Sequence, residues 1–241
     1  MPYHAATFQL LGFEPKHCGV AEAAVQRIET HLALSLPRSV RDWYVREDAV
    51  KILADHSNAD PPISVDDFAV VSWRTRQLLP FRHENQGVCT WAIDLNGSDD
   101  PPVYVGVDTD GREWELLAFT FSRYVYSCVW DYRIVFGQPG LVQAQNRALS
   151  ATSRSMLETL FRQEVQTHGW PGCTQYRFHG NGQAILIWDA PRQADWFIAG
   201  STPETLESAL VAVWNLDDVG QSLYDCSELG RKTLERIRNR E

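Results

Sequence analysis

No stretch of this chain approaches the roughly 18–20 consecutive apolar residues that a membrane span requires. The opening Met1–Gly19 segment has no cationic stretch ahead of an apolar core, so it does not read as a secretory signal. Cysteine is sparse. Cys18, Cys89, Cys128, Cys173 and Cys226 are odd in number, scattered and never arranged C-x-x-C. That usage excludes a disulfide framework and predicts reduced, mostly buried thiols. Positive charge is in deficit, with 22 Lys and Arg against 31 Asp and Glu and a net charge of −9. Nucleic acid and anionic membranes are thereby disfavoured as partners, because both are bound by clustered cations. A cytoplasmic location is the expectation.

Catalytic and metal-binding signatures are missing as well. Seven histidines are present, but His17-Cys18 has no second pair at zinc-site spacing and no H-E-x-x-H occurs. His83-Glu84 resembles half an acid–base pair, yet neighbours on a strand point to opposite faces and cannot share a substrate. Asp94-x-Asn96-x-Ser98 opens like a calcium loop, but its sixth position is Asp99 and its twelfth is Val105, where Gly and Glu are needed. No G-x-S-x-G, P-loop or dinucleotide fingerprint is present. The expectation is a protein with no enzymatic activity, no metal and no cofactor.

What is present is an ordinary globular composition, 44% hydrophobic and 22% charged over 241 residues. That length accommodates one large domain or a medium domain with an appended module. Val25, Ile28 and Leu32 predict a helix over about Val20–Leu34, broken at Ser35-Leu36-Pro37. Pro37 suits the first turn of a second helix burying Val40 and Trp43. The polar stretch Asp55–Asp67 reads as a loop. Phe68–Trp73, Leu78–Phe81, Val88–Leu95, Val103–Val107 and Trp114–Ala118 are β-branched and aromatic runs separated by turn residues, with Asp110-Gly111 the strongest hairpin signal. Phe121, Tyr124, Val125, Cys128, Val129 and Tyr132 form a helical stripe, which Thr120 or Ser122 can cap and Gly137-Gln138-Pro139-Gly140 ends.

A Gln/Ala/Ser-rich connector around Gln143–Thr152 leads into a second pattern. It predicts a helix with Ser155-x-x-Glu158 as capping box and Met156, Leu160, Phe161 and Val165 inward. Strands at Thr174–Phe178, Ala184–Trp188 and Trp196–Ala199 follow, the first two joined by Gly180-Asn181-Gly182. A helix opening at Thr202-Pro203-Glu204 then buries Leu206, Ala209, Leu210, Val213 and Trp214 on one face. The fold class is therefore α+β. An antiparallel-rich twisted sheet carries helices mainly on one face in residues 1–142, and a helix–three-strand–helix unit with a basic tail occupies 150–241.

Charge is unevenly placed. Glu84–Glu115 holds eight acids and one Arg, Thr202–Gly230 holds six acids and no base, and Arg231–Glu241 holds five bases and two acids. The first block is the better candidate for a contact surface, because the second must spend one helix face on its apolar stripe. The candidate residues are Asp99, Asp100, Asp108, Asp110, Glu113, Trp114 and Glu115, on turns expected to project from the sheet. Trp114, between two acids, reads either as an interface anchor or as an inward side chain with both acids outward.

The step Leu36-Pro37-x-Ser39 with Trp43-Tyr44 resembles the opening of the SUKH superfamily. So do His83-Glu84-Asn85-Gln86-Gly87-Val88 through Trp91-Ala92-Ile93-Asp94, Asp100-Pro101-Pro102-Val103-Tyr104, and the Ala118–Ser122 helix start. The resemblance covers about Val20 to Val135, and the unit after Gln143 has no counterpart in it. This superfamily includes bacterial immunity proteins that neutralise polymorphic toxins and fungal regulators of cell-wall assembly. The resemblance implies a noncatalytic protein-binding scaffold, and the acidic charge adds a basic, nuclease-like toxin as the expected partner. The alternatives are a cytosolic regulatory scaffold and an enzyme whose residues assemble only in three dimensions.

Overall fold

Five of the β-branched and aromatic runs pair in sequence order into one antiparallel sheet: β1 (Val71–Trp73), β2 (Arg76–His83), β3 (Cys89–Asp94), β4 (Val103–Val107) and β5 (Trp114–Ala118). The computed structural model describes residues 2–58, 60–63, 68–107, 113–169 and 172–239, so the Asp110-Gly111 turn lies outside the described residues. Two units divide the chain, Met1–Trp130 and Asp131–Glu241. The molecule is α+β, with one antiparallel sheet in each unit.

The first unit lays its helices on one face of its sheet. These are α1 (Ala5–Leu11), α2 (Gly19–Leu32), α3 (Arg38–Tyr44), α4 (Ala49–Asp55) and α5 (Phe121–Trp130). Leu79 and Ile93 face them across the β2–β3 pair. A bulge between Pro80 and Arg82 adds one residue to β2. The strand's alternation therefore slips, and Arg82 comes out on the same side as Leu79. Phe81 packs edge-on against Phe121 and Tyr124 at centroid distances of 5.7 and 5.4 Å. Phe121, Tyr124, Val125 and Val129 of the α5 stripe are buried. On the opposite face, Leu78, Ala92, Tyr104 and Trp114 form a smaller cluster with Trp73 and Leu116.

Two short helices were not legible. The regions of α1 and α4, seven residues each, are too short for a period of 3.6 to stand out. Asp55, expected in a loop, closes α4.

The second unit differs more from expectation. Among the described residues its sheet has six strands, in the order β11 (Leu223–Cys226), β6 (Gly140–Asn146), β10 (Ala194–Gly200), β9 (Gln183–Asp189), β8 (Thr174–Gly180) and β7 (Arg162–Gln163). The stretch read as a connector from Gln143 onward begins inside β6 (Gly140–Asn146), which lies between β10 (Ala194–Gly200) and β11 (Leu223–Cys226). β6 thus belongs to the second unit, which begins at Asp131. Gln143 and Gln145 alternate with the buried Val142 and Ala144, so the polar residues that suggested a linker are the outer face of a strand. The three predicted strands are present as β8 (Thr174–Gly180), β9 (Gln183–Asp189) and β10. The β8–β9 turn places Asn181 and Gly182 at φ 49° and 78°, the two successive left-handed residues of a type I′ turn.

Helices α6 (Ala151–Leu160), α7 (Pro203–Val213) and α8 (Glu228–Arg238) bury Leu157, Leu206, Leu210, Val213, Leu234 and Ile237 with Trp196, Ile198, Ile185 and Ile187 of the sheet. The cap of α6 is Ser150, accepting from the Ser153 N–H at 3.1 Å, rather than Ser155. That start turns Met156 and Leu160 outward, 46% and 50% exposed, and Leu157 inward. The basic tail is amphipathic helix α8, with Leu234 and Ile237 buried.

A six-residue π-helical segment, Asp131–Phe136, follows α5 in the chain and ends where the Gly137 N–H donates to the Tyr132 carbonyl at 2.6 Å. A Cβ at Gly137 would meet that same oxygen at 2.6 Å, so glycine is required there. Phe136 packs on Phe197, and Asp131 holds the buried Arg177 through two bonds of 2.7 Å.

Candidate functional site

The acidic block expected at a contact surface is used in several different ways. Glu84 is buried, and its carboxylate accepts from the N–H groups of Gln86 and Val88 at 2.7 and 3.3 Å, tying its own turn together. Asp94 is buried and paired with Arg76. Asp100 accepts from the Ser122 N–H at 3.0 Å and the Ser122 hydroxyl at 2.6 Å, at the amino end of α5. The Asp99 carbonyl accepts from the Ser39 N–H at 2.8 Å at the start of α3. The 96–100 turn is therefore fastened to two helices rather than projecting from the sheet. Asp100, partly exposed, thus also serves the fold.

Of its two readings, Trp114 takes the inward one. It is 3% exposed and lies over Gly106, whose missing Cβ would meet the indole at 2.9 Å. Pleat geometry decides this, since Trp114 opens β5 with Glu113 and Glu115 on the solvent side. Asp99, Glu113 and Glu115 remain exposed. Asp99 pairs with Arg38 at 3.3 Å and Glu113 with Arg74 at 2.8 Å, and all four of these side chains are more than half exposed. Asp108 and Asp110 lie outside the described residues.

Between the helices and the sheet of the first unit lies a pocket of about 540 Å³. Its walls come from α2, α3 and α4 on one side and from Leu79, Phe81 and Ile93 on the other. The cause is legible in α2. Ala21, Ala24, Val25 and Ile28 follow the spacing of a buried stripe, but its first two members are alanines. Methyl groups stand where larger side chains would close the gap to β2 and β3.

At one side the pocket wall is polar. Tyr44, Val50, Pro62 and Phe81 also line a recess of about 10 Å³ that Arg82 and Asp60 border. Arg82 is 3% exposed, donates to Asp60 at 2.8 Å and to the Tyr124 hydroxyl at 2.6 Å, and lies over the Trp91 ring. Its Nε is buried with no hydrogen-bond partner among the described residues. Burial pushes the Asp60 carboxyl up from its ordinary value, against the pull of Arg82. Burial also pushes the Tyr44 hydroxyl well above its ordinary 10.0, which keeps it neutral.

The sequence offered no motif for this pocket, because nothing in it is a spaced set of reactive groups. The one available signal was the pair of alanines inside the α2 stripe. Among the described residues, no group of three or more His, Cys, Asp or Glu is placed to hold a metal ion, and no helix is long and apolar enough to cross a membrane. No family model, curated protein or solved structure matches the chain.

Proposed function

We propose that this chain is a noncatalytic binding protein that neutralises a basic protein partner, in the manner of the toxin-immunity proteins its first unit resembles. The observation that carries the proposal is electrostatic. The net charge is −9, and Asp99, Glu113 and Glu115 stay at the surface of the first unit. The arginines opposite Asp99 and Glu113 are themselves exposed. Such surface pairs are worth about 0–1 kcal/mol, so a cationic partner can exchange them for its own contacts at little cost. A basic nuclease presents charge of the required sign, and complementary fields accelerate encounter.

The test is co-expression with the product of a toxin-like reading frame adjacent to the gene. Rescue of growth and a stoichiometric complex in size-exclusion chromatography are expected. Growth arrest undiminished by this protein, with no complex formed, would overturn the reading.

A further inference from the structure

We propose that the pocket between α2, α3, α4 and the β2–β3 pair binds a small uncharged organic molecule with an extended apolar body and one hydrogen-bonding end. This site is independent of the acidic surface invoked above. Its volume, about 540 Å³, lies within the roughly 300–1,000 Å³ of pockets that take small organic ligands. That space is large enough to hold many waters. Those waters would face Ala21, Ala24, Val25, Ile28, Leu79 and Ile93, none of which offers a side-chain hydrogen bond. A water in a buried site needs two to four polar partners, so exchanging this population for a hydrocarbon body is favourable.

The charges fix the ligand's class. Among the described residues, Arg46, Asp48 and Lys51 are the charged ones lining the pocket. Arg46 is held by Glu14 at 2.8 Å and Asp42 at 3.0 Å, and Lys51 is paired with Asp55. At the polar wall, Arg82 is balanced by Asp60. A carboxylate or ammonium carried into the apolar interior would lose its hydration, and the buried charge at that end, Arg82, already has Asp60 as its counter-ion. A hydroxyl or carbonyl loses far less and can meet the neutral Tyr44 hydroxyl.

The test uses the full chain and the uncharged fluorophore N-phenyl-1-naphthylamine, with 1-decanol and decanoate as competitors at pH 8. Saturable binding of one equivalent is expected, with displacement by decanol at a concentration at least tenfold below that needed for decanoate. Ala24→Trp should weaken probe binding at least tenfold by filling the pocket, without moving the unfolding midpoint. Ala21→Phe carries the same test should Ala24→Trp fail to fold. Tyr44→Phe should weaken decanol at least threefold more than it weakens the probe. Absence of saturable binding, or binding unchanged by both filling variants, overturns the site. Displacement by decanoate equal to that by decanol overturns the uncharged assignment.

Discussion

At the scale of single residues, two buried polar groups dominate what the molecule should do under stress. Arg177 is 1% exposed and spends its donors on Asp131, the Val165 carbonyl, the Thr167 hydroxyl and the Gln175 side-chain carbonyl. Removing it leaves a carboxylate buried with no counter-ion, so Arg177→Ala should destabilise the second unit by about 3–5 kcal/mol in urea unfolding. The double replacement Arg177→Met with Asp131→Leu should recover part of that loss, since the buried charge goes as well. Full recovery is not expected, because Thr167 and Gln175 lose a partner in both variants.

His4 gives the second residue-scale prediction. Its Nε2–H donates to the Ser39 carbonyl at 2.9 Å, while Nδ1 is buried without a partner among the described residues and the ring lies 5.0 Å from that of Trp43. Burial pushes its pKa below the ordinary 6.5. Below 6.5 the unfolded chain therefore takes up a proton that the folded chain resists. The stability His4 contributes is present above 6.5 and is lost as pH falls through the folded value. Thermal melts between pH 7.5 and 5 should show that loss, and His4→Phe, which keeps the ring packing, should flatten it.

At the scale of elements, the 96–100 turn shows how two adjacent acids take different jobs. Asp100 supplies acceptors to Ser122 at the start of α5, beside the Thr120 hydroxyl, which caps the helix by accepting from the Arg123 N–H at 3.2 Å. Asp100→Ala should cost about 1–2 kcal/mol, read as a lower unfolding midpoint. Asp99→Ala should stay within about 0.5 kcal/mol, because its structural bond uses the backbone carbonyl and its side chain holds only an exposed pair. Equal effects from the two variants would mean that the helix start does not depend on Asp100. A motif reading could not separate them: both are acids on a turn, and only the neighbouring helix distinguishes them.

For the whole molecule, function is predicted to follow the exposed acids. Neutralising Asp99, Glu113 and Glu115 together to Asn, Gln and Gln should cost little stability, because all three are at the surface and Arg38 and Arg74, the partners of Asp99 and Glu113, are themselves exposed. The same triple variant should associate more slowly with a basic partner at low salt and show a flatter salt dependence in stopped-flow or surface-binding kinetics. Each charge alone is worth less than about 1 kcal/mol, so single variants should be nearly silent. Association rates unchanged in the triple variant at low salt would move the contact surface to another part of the chain.

Local pattern was sufficient wherever one physical signal governed a segment. The strands β2 to β5, the hairpin at Asn181-Gly182, and α5 and α7 were legible because period, turn chemistry and caps act within a few residues. Alternation also allowed an inward Trp114 beside outward Glu113 and Glu115, and left the choice to burial. Tertiary structure alone decided the rest. Gln143 and Gln145 became the outer face of an inner strand through partners some fifty and eighty residues away. Asp100 became a helix-end acceptor through Ser122, and the bulge in β2 brought Arg82 under the helices. The pocket exists because two alanines of α2 face Leu79, Phe81 and Ile93 of a distant sheet. Each of these depends on what is brought opposite a residue. Sequence spacing encodes which face a side chain takes, and only the folded chain supplies what that face meets.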